Sequence, residues 1–294
     1  MSTEPIGVAV VTGANSGIGR ATAIHLATKG YDVYGTVRSV TKADKLNAMA
    51  AEHGVSVRLV EADIASDDSV RDGFAEILAL SDGRVDVLVN NAGVGGNAVA
   101  EECPSSMYLD VMNVNLCGAV RCLQAVLPQM RQRGNGCVVN ITSVVGRFAA
   151  LGQSPYVTSK WAFEGLSEGL AQELAPFGIR VAIIEPGVTK SAIFAKNVDA
   201  PNQTGVYDVH YRRLFQMYAA GMADATDPFD VAALIHHAIT TDQPKLRYPC
   251  SWGGSELIEG RAAMTDAEWI NLNTAVDDAE YAALFMEKFH LDIS

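Results

Sequence analysis

The sequence lacks the features that mark several broad classes of protein. Its five cysteines are odd in number and form no CxxC pair, unlike a disulfide framework or a thiolate metal site. The first residues, MSTEPIG, contain no basic residue and no long apolar run, and apolar stretches such as GVAVV are far too short to cross a bilayer. These absences predict a reduced, cytoplasmic protein with no membrane partner.

Positive charge and histidine are also scarce. The net charge is −12, so the chain has no general basic surface for nucleic acid or anionic lipid. The six histidines include the adjacent pair His236 and His237, and no HExxH motif occurs. We therefore predict no nucleic-acid partner and no metal site.

What is present is a regular alternation of strand-like and helix-like segments over 294 residues. Such alternation predicts an α/β protein, a parallel sheet with helices on both faces. The predicted strands are Val8–Val11, Asp32–Thr36, Ser56–Glu61, Val85–Asn90, Gly136–Ile141, Arg180–Glu185 and Lys245–Tyr248. The predicted helices are Gly17–Lys29, Thr41–His53, Asp67–Leu80, Ser105–Arg133 with a break near Gly118, Pro155–Phe177 and Pro228–Thr240.

Two further segments accompany this core. Residues 187–225 form a long predicted loop containing Pro201, Gly205 and Gly221, and loops of this length are typically lids or binding loops. Residues 254–294 show two helical patterns and are too short for a second domain. We expect one domain over residues 1–253, including a substrate lid at 187–225, and a helical extension of it at 254–294.

A glycine-rich string, TGANSGIG at residues 12–19, follows the first predicted strand and opens the first helix. Glycines allow a tight turn and close approach to a pyrophosphate, which would lie at a helix N-terminus. The spacing is GxxxGxG instead of GxGxxG. Taken alone, the string is equally typical of a tight strand–helix turn.

The string PYVTSK places Tyr156 and Lys160 four residues apart, on one face of a predicted helix. A nearby cation favours the phenolate, so we expect Lys160 to lower the pKa of Tyr156 and make it an acid–base group. A YxxxK string alone is usually a solvated helix face.

Together, these strings resemble the classical short-chain dehydrogenase/reductase family. The matching strings are TGANSGIG at 12–19, NNAG at 90–93, NVNLCG around Asn115, ITSVVG around Ser143, YVTSK at 156–160 and PGVTKS at 186–191. The order and spacing match as far as about residue 250. The resemblance implies a single doubly wound Rossmann-type domain with a seven-stranded parallel sheet, a nicotinamide cofactor, and a homodimer or homotetramer.

The resemblance also implies site residues. The catalytic set would be Ser143, Asn115, Tyr156 and Lys160, with Ser143 donating to the substrate oxygen and Asn115 holding a water in a relay to Lys160. Lys160 would also bind the nicotinamide ribose. The cofactor would contact Gly13, Asn15, Ser16, Gly17, Ile18, Gly19, Arg38, Asp63, Ile64, Asn91, Ala92, Gly93, Tyr156, Lys160, Pro186, Gly187, Val188, Thr189 and Ser191. Asp63 would lie at the adenine ring, and it is also a candidate N-cap for the helix that follows.

The choice of cofactor depends on the end of the second strand. Val37 stands where an acidic residue would bind the adenosine ribose of NAD, and Arg38 suits a 2′-phosphate. A solvated surface arginine is the alternative, and Ser16 stands where the family often carries a basic residue. NADP(H) is thus favoured over NAD(H).

The expected substrate side is mostly apolar. Its residues are Val94, Gly95, Val144, Val145, Phe148, Gln153 and part of the segment 194–222, with Tyr207, Tyr211, Phe215, Met217 and Tyr218. This favours a hydrophobic secondary alcohol or ketone, as in the retinol- and 17β-hydroxysteroid-type members that the chain resembles, although the lid aromatics could equally serve only packing. The alternatives are a 3-oxoacyl thioester (acyl-carrier) reductase, with Arg147, Arg212 and Arg213 to attract the carrier, and a non-catalytic NAD(P)-binding regulator.

Overall fold

The computed structural model describes residues 4–191 and 201–294, which build one seven-stranded parallel sheet. The strands are β1 (Val8–Thr12), β2 (Asp32–Val37), β3 (Arg58–Glu61), β4 (Val87–Asn90), β5 (Gly136–Ile141), β6 (Ile179–Pro186) and β7 (Arg247–Cys250). Their order across the sheet is β3-β2-β1-β4-β5-β6-β7. The predicted doubly wound α/β fold is thus confirmed.

Helices cover both faces of the sheet. They are α1 (Gly17–Thr28), α2 (Asp44–Glu52), α3 (Asp67–Leu80), α4 (Ser105–Met112), α5 (Gly118–Arg133), α6 (Ser154–Leu174), α7 (Asp208–Ala223), α8 (Pro228–Thr240), α9 (Gly254–Ala263), α10 (Asp266–Asn271) and α11 (Asp278–Phe289). The predicted bounds of α3, β5 and α8 agree with these residue for residue.

The two faces follow from the alternation of side chains along each strand. In β1, Ala9 and Val11 join the core formed with α1 and α8, whereas Val10 joins the core formed with α3 and α5. The continuous apolar run of β1 is therefore the signature of a strand buried on both sides.

The helical run 105–133 does not break at Gly118. Between α4 and α5 it passes through one π-helical stretch, Asn113–Cys117, and stays helical throughout. Among the described residues, this run has the length and mean hydropathy, 1.2, that a membrane span requires. Buried core helices meet the same test, and Val126 and Met130 of α5 are fully buried in the sheet-facing core.

Two expectations for the C-terminal part were wrong. The segment predicted as a loop contains a regular helix, α7, because Tyr211, Leu214 and Met217 recur at helical spacing and are buried. Beyond residue 253 there are three helices instead of two. These C-terminal helices pack against the segment that follows β5. The ring centroid of Phe148 in that segment lies 5.3 Å from those of Trp269 and Phe289. Residues 192–200 of the predicted lid, including Phe194, lie outside the described residues.

Smaller differences occur at strand ends. β3 begins at Arg58 instead of Ser56, and β7 spans Arg247–Cys250 instead of Lys245–Tyr248. Pairing with a neighbouring strand sets both bounds, since Pro186 of β6 is opposite Cys250 of β7.

Candidate active site

The candidate site lies where the carboxyl ends of the parallel strands meet. Strand order reverses between β1 and β4, which leaves a crevice at this edge of the sheet. A cavity of about 980 Å³ occupies this edge, and the segments that follow six of the strands line it, at 13–18, 36–42, 62–65, 91–95, 141–148 and 186–191. The predicted cofactor and catalytic residues line this cavity except Gly19 and Asn115, which lie behind its wall.

The glycines after β1 are required by close packing. Gly13 has a φ of +66°, and a Cβ there would lie 2.9 Å from the Cα of Ala92. A Cβ on Gly19 would lie 2.3 Å from Asn91 Nδ2 and 2.5 Å from the carbonyl oxygen of Gly13. Side chains at either position would push the loop away from the 91–93 turn.

The N-terminus of α1 faces the cavity. The helix begins at Gly17, and the side chain of its N-cap, Ser16, makes no capping bond. Asn15 Nδ2 donates to the carbonyl oxygen of Lys42 at 2.9 Å, which ties the loop to the segment after β2. This arrangement leaves amide N–H groups and a positive helix end available to an anion; Ile18 also lines the cavity.

Thr12 couples the first and fourth strand ends. Its hydroxyl accepts the backbone N–H groups of Asn91 and Ala92, each at 3.0 Å. Asn91 Nδ2 donates to the carbonyl oxygen of Thr12 at 2.8 Å. The turn that ends at Gly93 is thereby held against the glycine loop, as the matched NNAG string implied.

The end of β2 presents cations. Val37 is buried, whereas Arg38 is exposed and lines the cavity. Lys42, which the sequence had not singled out, is also exposed and lines the same end. The segment that follows β2 thus brings two positive charges to the mouth of the cavity.

Asp63 and Ile64 follow β3 and line the cavity. Asp63 is not the N-cap of α3, which was one of its two expected roles. The cap is Ser66, whose hydroxyl accepts the backbone N–H of Ser69. Asp63 Oδ1 instead accepts the N–H of Ala65 at 3.0 Å, which shapes the turn.

Three of the proposed catalytic side chains meet at the inner end of the cavity. Tyr156 and Lys160 project from the first turns of α6, with Lys160 Nζ 5.6 Å from the centroid of the Tyr156 ring. Lys160 is 5% exposed, and its Nζ donates to the carbonyl oxygen of Ile141 at 3.0 Å. Ser143 follows the end of β5, and its hydroxyl donates to the carbonyl oxygen of Pro186 at 3.2 Å.

The electrostatics differ from the expectation in one respect. Burial raises the pKa of Tyr156 to about 12, and a hydrogen bond with Ser143 opposes the rise. The sequence had predicted that Lys160 would lower the pKa of Tyr156, but desolvation of the phenolate raises it. Burial also lowers the pKa of Lys160 to about 8, with Glu164 opposing. Tyr156 therefore keeps its phenolic proton at neutral pH.

Asn115 occupies the π-helical stretch between α4 and α5, and such stretches are frequent at functional sites. Its side chain closes a pair of bonds with Val94, accepting the N–H at 2.8 Å and donating to the carbonyl oxygen at 2.9 Å. Nδ2 also donates to Ser159 Oγ at 2.9 Å. Asn115 thus ties the strand-end turn to α6, within one residue of Lys160.

The segment after β6 forms the other wall. The backbone N–H of Val188 donates to the carbonyl oxygen of Trp252 at 2.9 Å, and the Thr189 and Ser251 hydroxyls lie 2.8 Å apart. All five of the predicted residues in this segment line the cavity: Pro186, Gly187, Val188, Thr189 and Ser191. Pairing of β6 with β7 is what brings Trp252 to this place.

The substrate side is lined as predicted by Val94, Gly95, Val144, Val145, Phe148, Gln153, Met217 and Tyr218. Tyr207, Tyr211 and Phe215 do not line the cavity. Tyr211 is buried, donating to the carbonyl oxygen of Pro201 at 2.5 Å and accepting the N–H of Val99 at 3.0 Å. Trp252 and Leu257 complete the apolar wall; no local motif marks them.

Comparison with known proteins gives the same assignment as the geometry. The model of the short chain dehydrogenase family matches residues 7–202. An uncharacterized oxidoreductase of Bacillus subtilis, YusZ, is 34% identical over 253 residues, covering 84% of this chain and 89% of that protein. The 17-beta-hydroxysteroid dehydrogenase type 1 of Mus musculus is 36% identical over 252 residues, covering 82% and 72%. The 3-oxoacyl-[acyl-carrier-protein] reductase FabG of Staphylococcus epidermidis is 38% identical over 182 residues, covering 61% and 73%.

Solved structures are similar over most of the chain. A short-chain dehydrogenase from Streptomyces avermitilis superposes with a TM-score of 0.80 at 34% identity, covering 94% of this chain and all of that one. An actinorhodin polyketide ketoreductase with NADPH superposes with a TM-score of 0.69 at 29% identity, covering 82% and 92%. With its sheet order, its glycine loop and these relatives, the chain belongs to the short chain dehydrogenase family of oxidoreductases.

Proposed function

We propose that this protein is an NADP(H)-dependent oxidoreductase that transfers a hydride between nicotinamide and a hydrophobic secondary alcohol or ketone. The observation that carries the proposal is the meeting of the buried Ser143 and Lys160 with the half-buried Tyr156, at one end of a cavity whose other end is the glycine loop. Proton-transfer groups and a phosphate-binding loop share a single crevice.

The residues present suit a dinucleotide. A Cβ would fill the cradle at Gly13 and Gly19, and the N-terminus of α1 lacks a side-chain cap. Residues 13–19 and 91–93 would hold the pyrophosphate side, Asp63 and Ile64 the adenine, and Lys160 with residues 186–191 the nicotinamide side. When bound, the cofactor would supply the hydride for ketone reduction and accept it for alcohol oxidation.

The protein's own part is to manage the proton and the charge on oxygen. Tyr156 would give its proton to the carbonyl oxygen during reduction and take one back during oxidation. Ser143 would donate a hydrogen bond to the same oxygen as negative charge builds. Lys160 would keep a positive charge beside Tyr156 and Ser143. Asn115 would hold the turn at Val94 against α6 and would bind a water that relays protons to Lys160.

Preference for NADP(H) is supported by the charges at the end of β2. Arg38 and Lys42 lie exposed at the cavity mouth, where a 2′-phosphate would sit. Three related structures contain NADP, NADPH or a hydroxylated NADP, at 27% to 29% identity.

An apolar substrate is supported by the wall that Val144, Val145, Phe148, Met217 and Leu257 form. The α7 helix and the tail helices would act as an extension of the same domain, closing this wall in place of the loop-like lid predicted for residues 187–225. A relative that is a 17-beta-hydroxysteroid dehydrogenase agrees with a bulky, weakly polar ketone.

An acyl-carrier thioester reductase is the second candidate, favoured by the match to FabG. The structure makes it less attractive because its candidate carrier-attracting arginines are engaged. Arg147 pairs with Glu185 at 3.4 Å, Arg212 with Asp278 at 2.5 Å, and Arg213 is 3% exposed.

A homodimer or homotetramer through α4, α5 and α6 also forms part of the proposal. Leu109 on α4 is 71% exposed and Trp161 on α6 is 50% exposed, and large apolar side chains left in solvent favour an interface. Light scattering of the purified protein would give the mass, and a monomer at micromolar concentration would contradict this part.

The function is tested by following nicotinamide absorbance with NADPH or NADH against a panel of ketones, 3-oxoacyl thioesters and alcohols. We expect the fastest turnover with NADPH and a bulky apolar ketone. Preference for thioesters would establish the second candidate. Tight NADPH binding without turnover on any substrate would support a non-catalytic regulator.

A further inference from the structure

The hydrogen bond of Lys160 does not offset the cost of burying its positive charge. The residue is 5% exposed, and an ammonium removed from water is strongly disfavoured unless an opposite charge accompanies it. Its bond to the carbonyl oxygen of Ile141, at 3.0 Å, supplies only a neutral dipole. Some other group must keep the ammonium charged if it is to serve the reaction.

Glu164 is placed to do so. It lies one helical turn after Lys160 on α6 and is itself 4% exposed. Its Oε1 is buried and has no hydrogen-bond partner among the described residues. A buried carboxylate with an unpaired oxygen, one turn from a buried ammonium, acts on that ammonium through a medium with little screening.

The Glu164 carboxylate belongs to a cluster of ion pairs. Arg247 Nε on β7 lies 3.0 Å from Glu164 Oε2 and 3.7 Å from Glu185 Oε1. Arg247 Nη2 lies 2.5 Å from Glu168, and Arg147 Nη1 lies 3.4 Å from Glu185. The cluster therefore joins four elements that carry or support the site: α6, the end of β6, β7 and the turn after Ser143.

That turn is packed directly on Glu164. A Cβ on Gly146 would lie 2.9 Å from Glu164 Cγ and 3.1 Å from the carbonyl oxygen of Lys160. The turn after Ser143 thus packs against the part of α6 that carries Lys160 and Glu164.

From this geometry, and resting on the function proposed above, we propose that Glu164 is a positioning residue that keeps the Lys160 ammonium charged inside the site. Arg247 holds the carboxylate, and neither Glu164 nor Arg247 lines the cavity, so that Glu164 acts on Lys160 without touching substrate or cofactor.

The other ionisable groups around Glu164 and Lys160 agree with this role. Burial, and then the negative charge of Glu164, raise the pKa of Glu185 to about 7, with Arg147 and Arg247 opposing. Glu185 is thus the carboxylate of the ion cluster that takes up a proton near neutral pH. Glu164 also counteracts the lowering of the pKa of Lys160 by burial. Tyr156, the other titratable group facing Lys160 from α6, is neutral throughout this range.

The test measures the ionisation of Lys160 directly. In protein labelled at lysine Cε, NMR titration should give Lys160, assigned from its loss in Lys160→Met, a midpoint near pH 8. Glu164→Gln should lower this midpoint by roughly one unit, because an opposite charge close by shifts a pKa by about that amount or more. Glu164→Asp should restore most of the shift, which a purely structural role would not.

Glu168→Gln is the matched control, since Glu168 lies on the same helix and binds the same Arg247 but is exposed. It should leave the Lys160 midpoint unchanged. If Glu164→Gln does not fold, Glu164→Met removes the charge without a buried polar atom, and the same lowering is expected.

A Lys160 midpoint that is equal in wild type and in the neutral variants would overturn the proposal, and so would a Glu164→Asp value as low as that of Glu164→Gln. The titration does not depend on turnover. If no substrate is turned over but the Lys160 midpoint shifts in Glu164→Gln, the proposed function alone is contradicted. If substrates are turned over but the midpoint does not shift, only the role of Glu164 is contradicted.

Discussion

The two ends of the cavity bind and react by different physical means. At the glycine-loop end, the working groups are backbone N–H groups, a helix terminus and the exposed cations Arg38 and Lys42. At the other end, Lys160 is buried, the pKa of Tyr156 is raised to about 12 and that of Lys160 lowered to about 8. The open end depends on shape and exposed charge, whereas the buried end depends on desolvation.

This contrast teaches where substitutions should act. Changes to Tyr156 and Ser143 at the buried end should alter the rate and its pH dependence while leaving cofactor affinity nearly intact. Changes to Lys160, which would also hold the nicotinamide side, should alter both. Changes at the open end should alter affinity and cofactor choice while leaving proton transfer intact. If substitutions at either end, apart from those of Lys160, alter both the rate and cofactor affinity, the two ends act as one unit.

Tyr156→Phe should give the largest effect. It removes only the proton donor, and general acid–base catalysis typically contributes about 10²–10⁴-fold. We expect kcat to fall by about that factor while the Kd for NADPH, measured by fluorescence, changes little. Tyr31→Phe, at the opposite edge of the sheet beside Gly7, is the control and should keep wild-type kcat. Near wild-type turnover in folded Tyr156→Phe would remove Tyr156 from the reaction.

Gly19→Ala should damage the open end. Its Cβ would lie 2.3 Å from Asn91 Nδ2 and 2.5 Å from the carbonyl oxygen of Gly13, and overpacking of this kind costs about 1–3 kcal/mol. We expect a lower free energy of unfolding in urea and a Kd for NADPH raised more than the KM for ketone. Thr28→Ala, at the exposed far end of α1, should change neither measurement. Unchanged NADPH affinity in a stable Gly19→Ala protein would mean that the loop does not contact the cofactor.

Arg38 should have a smaller, selective effect. A hydrogen bond to a charged group contributes about 1.5–3 kcal/mol, so Arg38→Ser should weaken NADPH binding by roughly one to two orders of magnitude and leave NADH binding unchanged. Val37→Asp should shift the preference further toward NADH. Lys45→Ser is the control, since Lys45 is exposed on α2 and is not among the cavity-lining residues. A wild-type protein that binds NADH more tightly than NADPH would show that Arg38 is a surface residue.

The sequence was sufficient wherever the signal is local. The glycine loop, the Tyr156–Lys160 spacing and the alternation of strands and helices depend on residues near one another in the chain, and all were predicted. The fold class followed from the same periodicities. The helix α7 was missed because Pro201 and Gly205 suggested a loop, although Tyr211, Leu214 and Met217 already had helical spacing.

The remainder depends on contacts between distant segments. Trp252 reaches Val188 only because β7 pairs with β6, and Lys42 reaches the cavity through the bond of its carbonyl oxygen to Asn15. The raised pKa of Tyr156 depends on how deeply its hydroxyl is buried, which no spacing reveals. Glu164 was missed because its ion-pair partner, Arg247, comes from the distant strand β7.

The pH dependence of ketone reduction at saturating NADPH tests the claim about the buried end most directly. The lowered pKa of Lys160 means that its charged form is present below about pH 8 and is lost above it, whereas Tyr156 keeps its proton up to about pH 12. We predict a kcat that falls above about pH 8, by about tenfold per unit for a single required proton. A kcat that stays constant to well above pH 8, where Lys160 is neutral, would contradict the account.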